Sequence, residues 1–160
     1  MIDLNNILAK SIQNGNTTLL DHTGHVVTAI KKMAEGFSFP FDEQMAVKGA
    51  VLHDLGKAHP HFQRRMKNIN AHSLADERED ESYAHRHEIS SLAFLPAFPK
   101  EEWNMLIDMV VAHHKSIQND VRNRGILDLD DNDRHWIENH LKDWQDWFPI
   151  GKEIIEKFGF

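Results

Sequence analysis

Residues 47–57 read VKGAVLHDLGK, and this stretch decides the fold prediction. Val47, Ala50 and Val51 recur at the three- and four-residue spacing of a buried helix face. Continued by three positions, the same spacing places Asp54 on that face. An ionised carboxylate that faces a core is costly unless a cation neutralises it. The stretch therefore predicts a helix that leads into a buried cation site.

The residues beside Asp54 suit such a site. His53 could supply an imidazole nitrogen, while the carboxylate could bridge two metal ions. Gly56 permits a close backbone approach, and Lys57 adds a positive charge for a phosphate oxygen. A His-Asp pair also occurs by chance, so an exposed helix end with a salt bridge is the alternative for this pentapeptide alone.

Three further groups drawn from the twelve histidines lie beside apolar helical patterns. His113 and His114 end one such pattern. Adjacent helical side chains point about 100° apart, so the pair could bracket two ions better than chelate one. The alternative is an ordinary helix C-terminus, where the dipole stabilises imidazolium. The other two groups, His85-Arg86-His87-Glu88 and His22-Thr23-Gly24-His25, are weaker indications by themselves.

Composition narrows the possible classes of protein. The 160 residues suit one domain, and the absence of cysteine leaves histidine and carboxylate as metal ligands. The formal net charge of −7 disfavours bulk electrostatic binding of nucleic acid, so any such contact must be local or assisted by metal ions. With no apolar stretch of membrane-spanning length and no secretion signal, we expect a cytoplasmic protein without membrane contact.

The remaining pattern predicts an all-α fold without strands, in the form of a compact helical bundle with a metal site in its core cleft. Helix caps are expected at residues 16–18 and at Asp42, and loops at residues 68–84 and 116–133. Predicted helices cover residues 1–36, 42–54, 85–95, 101–115 and 136–144, with a last segment near residues 154–158.

Taken together and in this order, these residues resemble the HD superfamily of metal-dependent phosphohydrolases, and within it the HD nuclease domain of the CRISPR type I interference helicase-nuclease. The likeness covers residues 19–115, but Lys115 stands where that family usually has glycine, and a later family aspartate has no assignable counterpart. The matching motifs are Leu19-Leu20-Asp21-His22, His53-Asp54-Leu55-Gly56-Lys57, His87-Glu88-Ile89-Ser90-Ser91 and Ala112-His113-His114.

The resemblance implies a single HD nuclease domain over residues 1–160, with a helicase that either follows in the same chain or is a separate protein. It implies a metal-dependent endo- or exonuclease that cleaves single-stranded DNA in CRISPR interference, an antiviral defence. A helicase domain or subunit and a guide-RNA surveillance complex would be its partners. Asp54 and Lys57 would be catalytic, and the metal ligands would be His22, His53, Asp54, His87, His113 and His114.

Such a histidine-rich ligand set favours two divalent transition-metal ions, Mn, Fe, Co or Ni, with Mg as a further option. Two alternatives remain open: an HD nucleotidase or cyclic-nucleotide phosphodiesterase that acts on small nucleotides, and a metal-deficient interaction module. The other histidines match no ligand position and are expected in solvent or behind the ligands: His25, His59, His61, His72, His85, His135 and His140.

Overall fold

The computed structural model describes residues 3–38, 40–67, 85–113 and 138–160. Regular structure in these ranges is helical apart from one isolated bridge between Leu8 and Thr18, which confirms the all-α prediction. Within these ranges no helix has the length and apolarity needed to cross a bilayer. The α-helices are α1 Leu19–Gly36, α2 Glu43–Leu52, α3 Pro60–Lys67, α4 His87–Ser91, α5 Trp103–Ala112 and α6 Trp144–Lys157, and 3-10 helices cover Leu4–Asn6, Ile12–Asn14, Leu55–Ala58, Leu92–Ala97 and Lys100–Glu102.

Side-chain caps determine where α1 and α2 begin. The backbone N–H of Asp21 donates to Thr18 Oγ1 at 3.0 Å, and that of Met45 donates to Asp42 Oδ1 at 2.9 Å. Each such cap satisfies a free helix N–H and contributes about 1 kcal/mol. Both capping segments agree with the sequence prediction, but a helix over all of residues 1–36 is wrong. Gly15 and Asn16 have positive φ angles of 105° and 44°, which interrupts helical backbone before Leu19.

The apolar faces of the helices meet in one core. Helix α1 packs on α2, α2 packs on α5, and α6 covers the 3-10 helices Leu55–Ala58 and Leu92–Ala97. The C-terminal pattern differs from prediction: residues 138–140 are helical, Asp143 has a φ of 52°, and α6 begins afresh at Trp144. The largest fully buried side chains are Trp147, Phe94, Leu19, Leu52, Leu55, Leu106, Ile154 and Ile155.

The chain turns sharply after α2. His53 ends the helix, and Asp54 has φ −114° and ψ 2°, outside helical geometry. The expected continuation of the helix to Asp54 is therefore wrong, although the expected burial of its carboxylate is correct. Because the turn moves Asp54 off the helix, its side chain points between several elements instead of toward one packing partner.

Candidate metal centre

One carboxylate lies at the centre of the polar interior. Asp54 is 2% exposed, so its charge is removed from water and needs compensation from the protein. The ammonium of Lys57 lies 2.7 Å from its Oδ2. The Nε2 atoms of four histidines complete the surroundings, at 2.9 Å for His22 and 3.2 Å for His53 from Oδ2, and at 3.0 Å for His87 and 3.5 Å for His113 from Oδ1.

We call these four histidines the carboxylate cluster. Helix α1 supplies His22, His53 ends α2, His87 begins α4, and His113 follows α5. The structure thus brings together, from four elements, five of the six side chains expected as ligands. The sixth, His114, lies outside the described residues.

Asp54 belongs to two groups of potential ligand atoms. His22, His53 and Asp54 form one group, and Asp54, His87 and His113 form the other, with the atoms of each group within 4.8 Å of one another. Oδ2 faces the first nitrogen pair and Oδ1 faces the second. The carboxylate therefore stands between two pairs of imidazoles, as a group that bridges two metal ions would.

The hydrogen bonds of Nδ1 in His53 and His113 show that Nε2 of each neutral ring directs a lone pair at Asp54. Nδ1 of His53 lies 2.6 Å from the carbonyl oxygen of Ala50, and Nδ1 of His113 contacts the carbonyl oxygen of Val110. A carbonyl oxygen only accepts, so Nδ1 carries the proton, and in the neutral ring Nε2 carries a lone pair. A lone pair directed at a carboxylate is repelled unless a cation lies between them, which is the role of a metal.

The surroundings of Asp54 Oδ1 give an independent test of whether a metal ion fits this centre. In the ranges that the structure describes, the buried Oδ1 of Asp54 has no hydrogen bond of good geometry, although two imidazole nitrogens lie within 3.5 Å. Leaving a buried oxygen unsatisfied is costly, and coordination to a cation removes that cost. The residues present therefore fit divalent metal ions.

The electrostatics of the centre also favour a cation. Burial raises the pKa of Asp54, but the four surrounding imidazoles outweigh it and hold that pKa far below its usual range. Burial would lower the pKa of His113, yet the neighbouring carboxylate of Asp54 raises it. Asp54 therefore stays ionised at neutral pH and attracts positive charge, whether a proton or a metal ion.

A close backbone contact brings α4 to the Asp54 turn. A Cβ on Gly56 would lie 1.9 Å from the carbonyl oxygen of His87 and 2.6 Å from the backbone nitrogen of Ser91. The N–H of Gly56 donates to Ser91 Oγ at 2.8 Å, and that hydroxyl lies 3.0 Å from the carbonyl oxygens of both His53 and His87. Only glycine allows this approach, so Gly56 determines how near His87 comes to Asp54.

Three other histidines, His59, His85 and His140, form what we call the buried stack. Ring centroids of His59 and His85 are 4.6 Å apart, and those of His85 and His140 are 5.1 Å apart. Burial first, and neighbouring histidines second, lower the pKa of His59 to about 4 and that of His85 to about 2. The rings of His59 and His85 therefore stay neutral at physiological pH.

The three histidines of the buried stack are removed from solvent, so the expectation of a solvent-exposed position is wrong for them. Its members form no ligand group of the Asp54 kind among the described residues. His25 is exposed and His61 is half-buried, whereas His72 and His135 lie outside the described ranges. Nothing in the sequence around His140 distinguished it from a surface histidine, so its complete burial is visible only in the structure.

An all-helical domain with a His-Asp turn between two imidazole pairs has the architecture expected of an HD phosphohydrolase. A family model described as "Cas3, HD domain" matches residues 17–157. This match covers most of the chain, so the chain belongs to that family of CRISPR-associated metal-dependent nucleases, and the resemblance drawn from the motifs is confirmed. No curated protein and no solved structure matches the chain.

Proposed function

We propose that this domain hydrolyses phosphodiester bonds of single-stranded DNA with two divalent metal ions held around Asp54. The observation that carries the proposal is the position of Asp54 between two separate imidazole pairs. His22 and His53 would hold one ion, His87 and His113 the other, and Asp54 would bridge them. His114 follows His113 directly and stays a proposed additional ligand.

When bound, divalent ions would activate water for attack and would stabilise charge on the attacking and leaving oxygens. The protein positions the ligand side chains and limits the access of water to the centre. Side chains of the carboxylate cluster are 11% to 20% exposed, so the centre is largely shielded from bulk water. Nitrogen-rich coordination favours Mn, Fe, Co or Ni over Mg, which prefers oxygen ligands.

Lys57 would act on the phosphate. Its ammonium lies 2.7 Å from Asp54 Oδ2, and its side chain is 12% exposed. The ammonium would bind a non-bridging phosphate oxygen, where its charge would stabilise the transition state. An ammonium cannot ligate a metal, so its role is separable from metal binding.

In its cellular setting, the domain would act in the cytoplasm with a helicase, either fused to it or separate. The helicase would deliver single strands, and a guide-RNA surveillance complex would recruit the nuclease to its target in antiviral defence. The acidic balance of the chain, with a net charge of −7, supports delivery by a partner over capture by bulk charge.

The activity is tested with metal-stripped protein to which Mn²⁺, Co²⁺ or Ni²⁺ is returned. We expect cleavage of single-stranded DNA to exceed that of duplex DNA, and chelator to abolish it. Asp54→Asn keeps the shape of the side chain but loses the bridging charge, so cleavage should fall at least ~1000-fold. Asp108→Asn, on the exposed face of α5, is the matched control and should cleave normally.

Equal cleavage by Asp54→Asn and wild type would refute the proposed centre. Preferential hydrolysis of mononucleotides or cyclic nucleotides would assign the domain to the small-nucleotide class instead. A protein that takes up no metal would fit the interaction module.

Lys57→Ala should retain the metal content of wild type but cleave roughly 100-fold more slowly, as expected when one charge aimed at the transition state is removed. Lys57→Arg should recover part of the rate, since the guanidinium keeps the charge but aims it differently. Lys152→Ala, whose side chain is 60% exposed, is the control. Elemental analysis beside single-turnover cleavage gives the answer: loss of metal in Lys57→Ala, or an unchanged rate, would rule out this role.

A further inference from the structure

The helix that carries His87 has little means of holding its own position. Helix α4 is only five residues long, and its N-cap residue, Arg86, makes no side-chain capping hydrogen bond. A helix this short is not stable in water by itself, so tertiary contacts must fix its start. That start matters because the first residue of α4 is His87.

A ring nitrogen from the C-terminal part of the chain supplies the missing contact. The backbone N–H of Arg86 donates to Nε2 of His140 at 2.8 Å, and His140 is 0% exposed. Because Nε2 accepts, the neutral ring carries its proton on Nδ1. This nitrogen is therefore committed to the backbone next to His87 and is unavailable as a metal ligand.

A second contact links the backbone of His140 to the same helix. Ser90 Oγ donates to the carbonyl oxygen of His140 at 2.8 Å and lies 2.8 Å from Nε2 of His85. Since the hydroxyl proton of Ser90 goes to a carbonyl, the proton between Ser90 and His85 belongs to the imidazole. His140 thus contacts the start of α4 and Ser90, while the hydrogen bond between Gly56 and Ser91 joins α4 to the Asp54 turn.

We propose that His140 is a positioning residue for the metal centre, one that places the imidazole of His87 by accepting the N–H of Arg86. The inference rests on the metal-binding part of the proposed function. It predicts an unequal effect on the two ligand groups. The group of Asp54, His87 and His113 depends on α4, whereas His22 and His53 reach the centre from α1 and the end of α2.

The test is calorimetric titration of metal-free protein with Mn²⁺. His140→Leu removes the acceptor, and His140→Gln retains one in its amide oxygen. Loss of a residue that orients a ligand lowers metal affinity by about 10- to 100-fold, so His140→Leu should weaken one ion by that factor. His140→Gln should lie close to wild type. His87→Ala and His22→Ala identify which ligand group is affected.

We expect His140→Leu to add no further loss in a His87→Ala background, but to add its full loss in a His22→Ala background. Ile155→Ala, a buried substitution in α6, controls for lowered stability and should leave both affinities unchanged. Unchanged Mn²⁺ affinity in His140→Leu, or equal losses in the Leu and Gln variants, would overturn the inference. If His140→Leu fails to fold, Ser90→Ala tests the second contact: it should weaken the same ion, and unchanged affinity would overturn the inference.

Failure of the inference and failure of the proposed function give different results. If wild-type protein binds no Mn²⁺, the proposed metal centre itself is wrong. If wild type binds Mn²⁺ and His140→Leu binds it equally well, the centre stands and His140 has no positioning role.

Discussion

The carboxylate cluster and the buried stack are both made of histidines, but their nitrogen atoms face different partners. In the cluster, four Nε2 atoms point at Asp54. In the stack, Nε2 of His140 accepts from a backbone amide, and Nδ1 of His59 accepts from the N–H of His61. The cluster nitrogens converge on a charged carboxylate, whereas these two nitrogens of the stack accept hydrogen bonds from backbone N–H groups.

This difference appears in the protonation behaviour of the rings. Burial first, and neighbouring histidines second, lower the pKa of His59 to about 4. The side chain of His113 is 19% exposed, and the carboxylate of Asp54 raises its pKa. A buried histidine thus attracts or repels positive charge according to whether a carboxylate faces it. Histidine number alone does not define a metal site.

Substituting one histidine in each region gives the largest expected difference in Mn²⁺ affinity. His53→Ala should weaken Mn²⁺ binding about 100-fold or more, because it removes a direct ligand. His59→Asn should keep metal affinity, since it keeps an acceptor for the N–H of His61 at the start of α3. Titration calorimetry on both variants decides the matter, and a similar loss of affinity in both would erase the distinction between the two regions.

Gly56, where the Asp54 turn meets α4, allows a sharper test of the packing between the regions. A Cβ there would overlap backbone atoms of His87 and Ser91, which cannot rotate away, so Gly56→Ala should lower the free energy of unfolding by about 3 kcal/mol. Gly36→Ala meets nothing within 4 Å at the end of α1 and should change that free energy by less than ~1 kcal/mol.

Urea unfolding of the two glycine variants with chelator present isolates packing from metal binding. Comparable stability of Gly56→Ala and Gly36→Ala would mean that α4 tolerates displacement from the turn. His87 would then be less firmly placed than its contacts indicate.

The smallest effect concerns acid stability. The folded pKa of His59, about 4, lies below its ordinary value of 6.5, so the unfolded chain binds the extra proton between these pH values. The contribution to stability is therefore complete above pH 6.5 and is lost as the pH falls toward 4. Its total is on the order of 1 to 3 kcal/mol.

Unfolding free energies of wild type and His59→Asn, measured with chelator between pH 7 and pH 4.5, test this contribution. The wild-type values should fall more steeply, because Asn has no proton to gain. Parallel curves would show that His59 keeps its ordinary pKa in the folded protein.

The sequence by itself determined the parts of this protein that depend on local pattern. Helical periodicity predicted the all-α fold, and Asp42 marked the start of α2 because an N-cap needs only the next three residues. The position of Asp54 after an apolar helix predicted a buried carboxylate. The family motifs predicted which histidines accompany it, and the structure brings His22, His53, His87 and His113 to that carboxylate.

Only the tertiary structure decided how these side chains are held. The turn after His53 takes Asp54 off the helix, and the Gly56 contact depends on α4, which lies more than thirty residues further along the chain. His140 accepts a hydrogen bond from the N–H of Arg86, 54 residues away in sequence. No local sequence pattern around either residue predicts this contact. Helix formation follows from neighbours in sequence, whereas burial, tautomer and charge compensation depend on what the folded chain brings beside each ring.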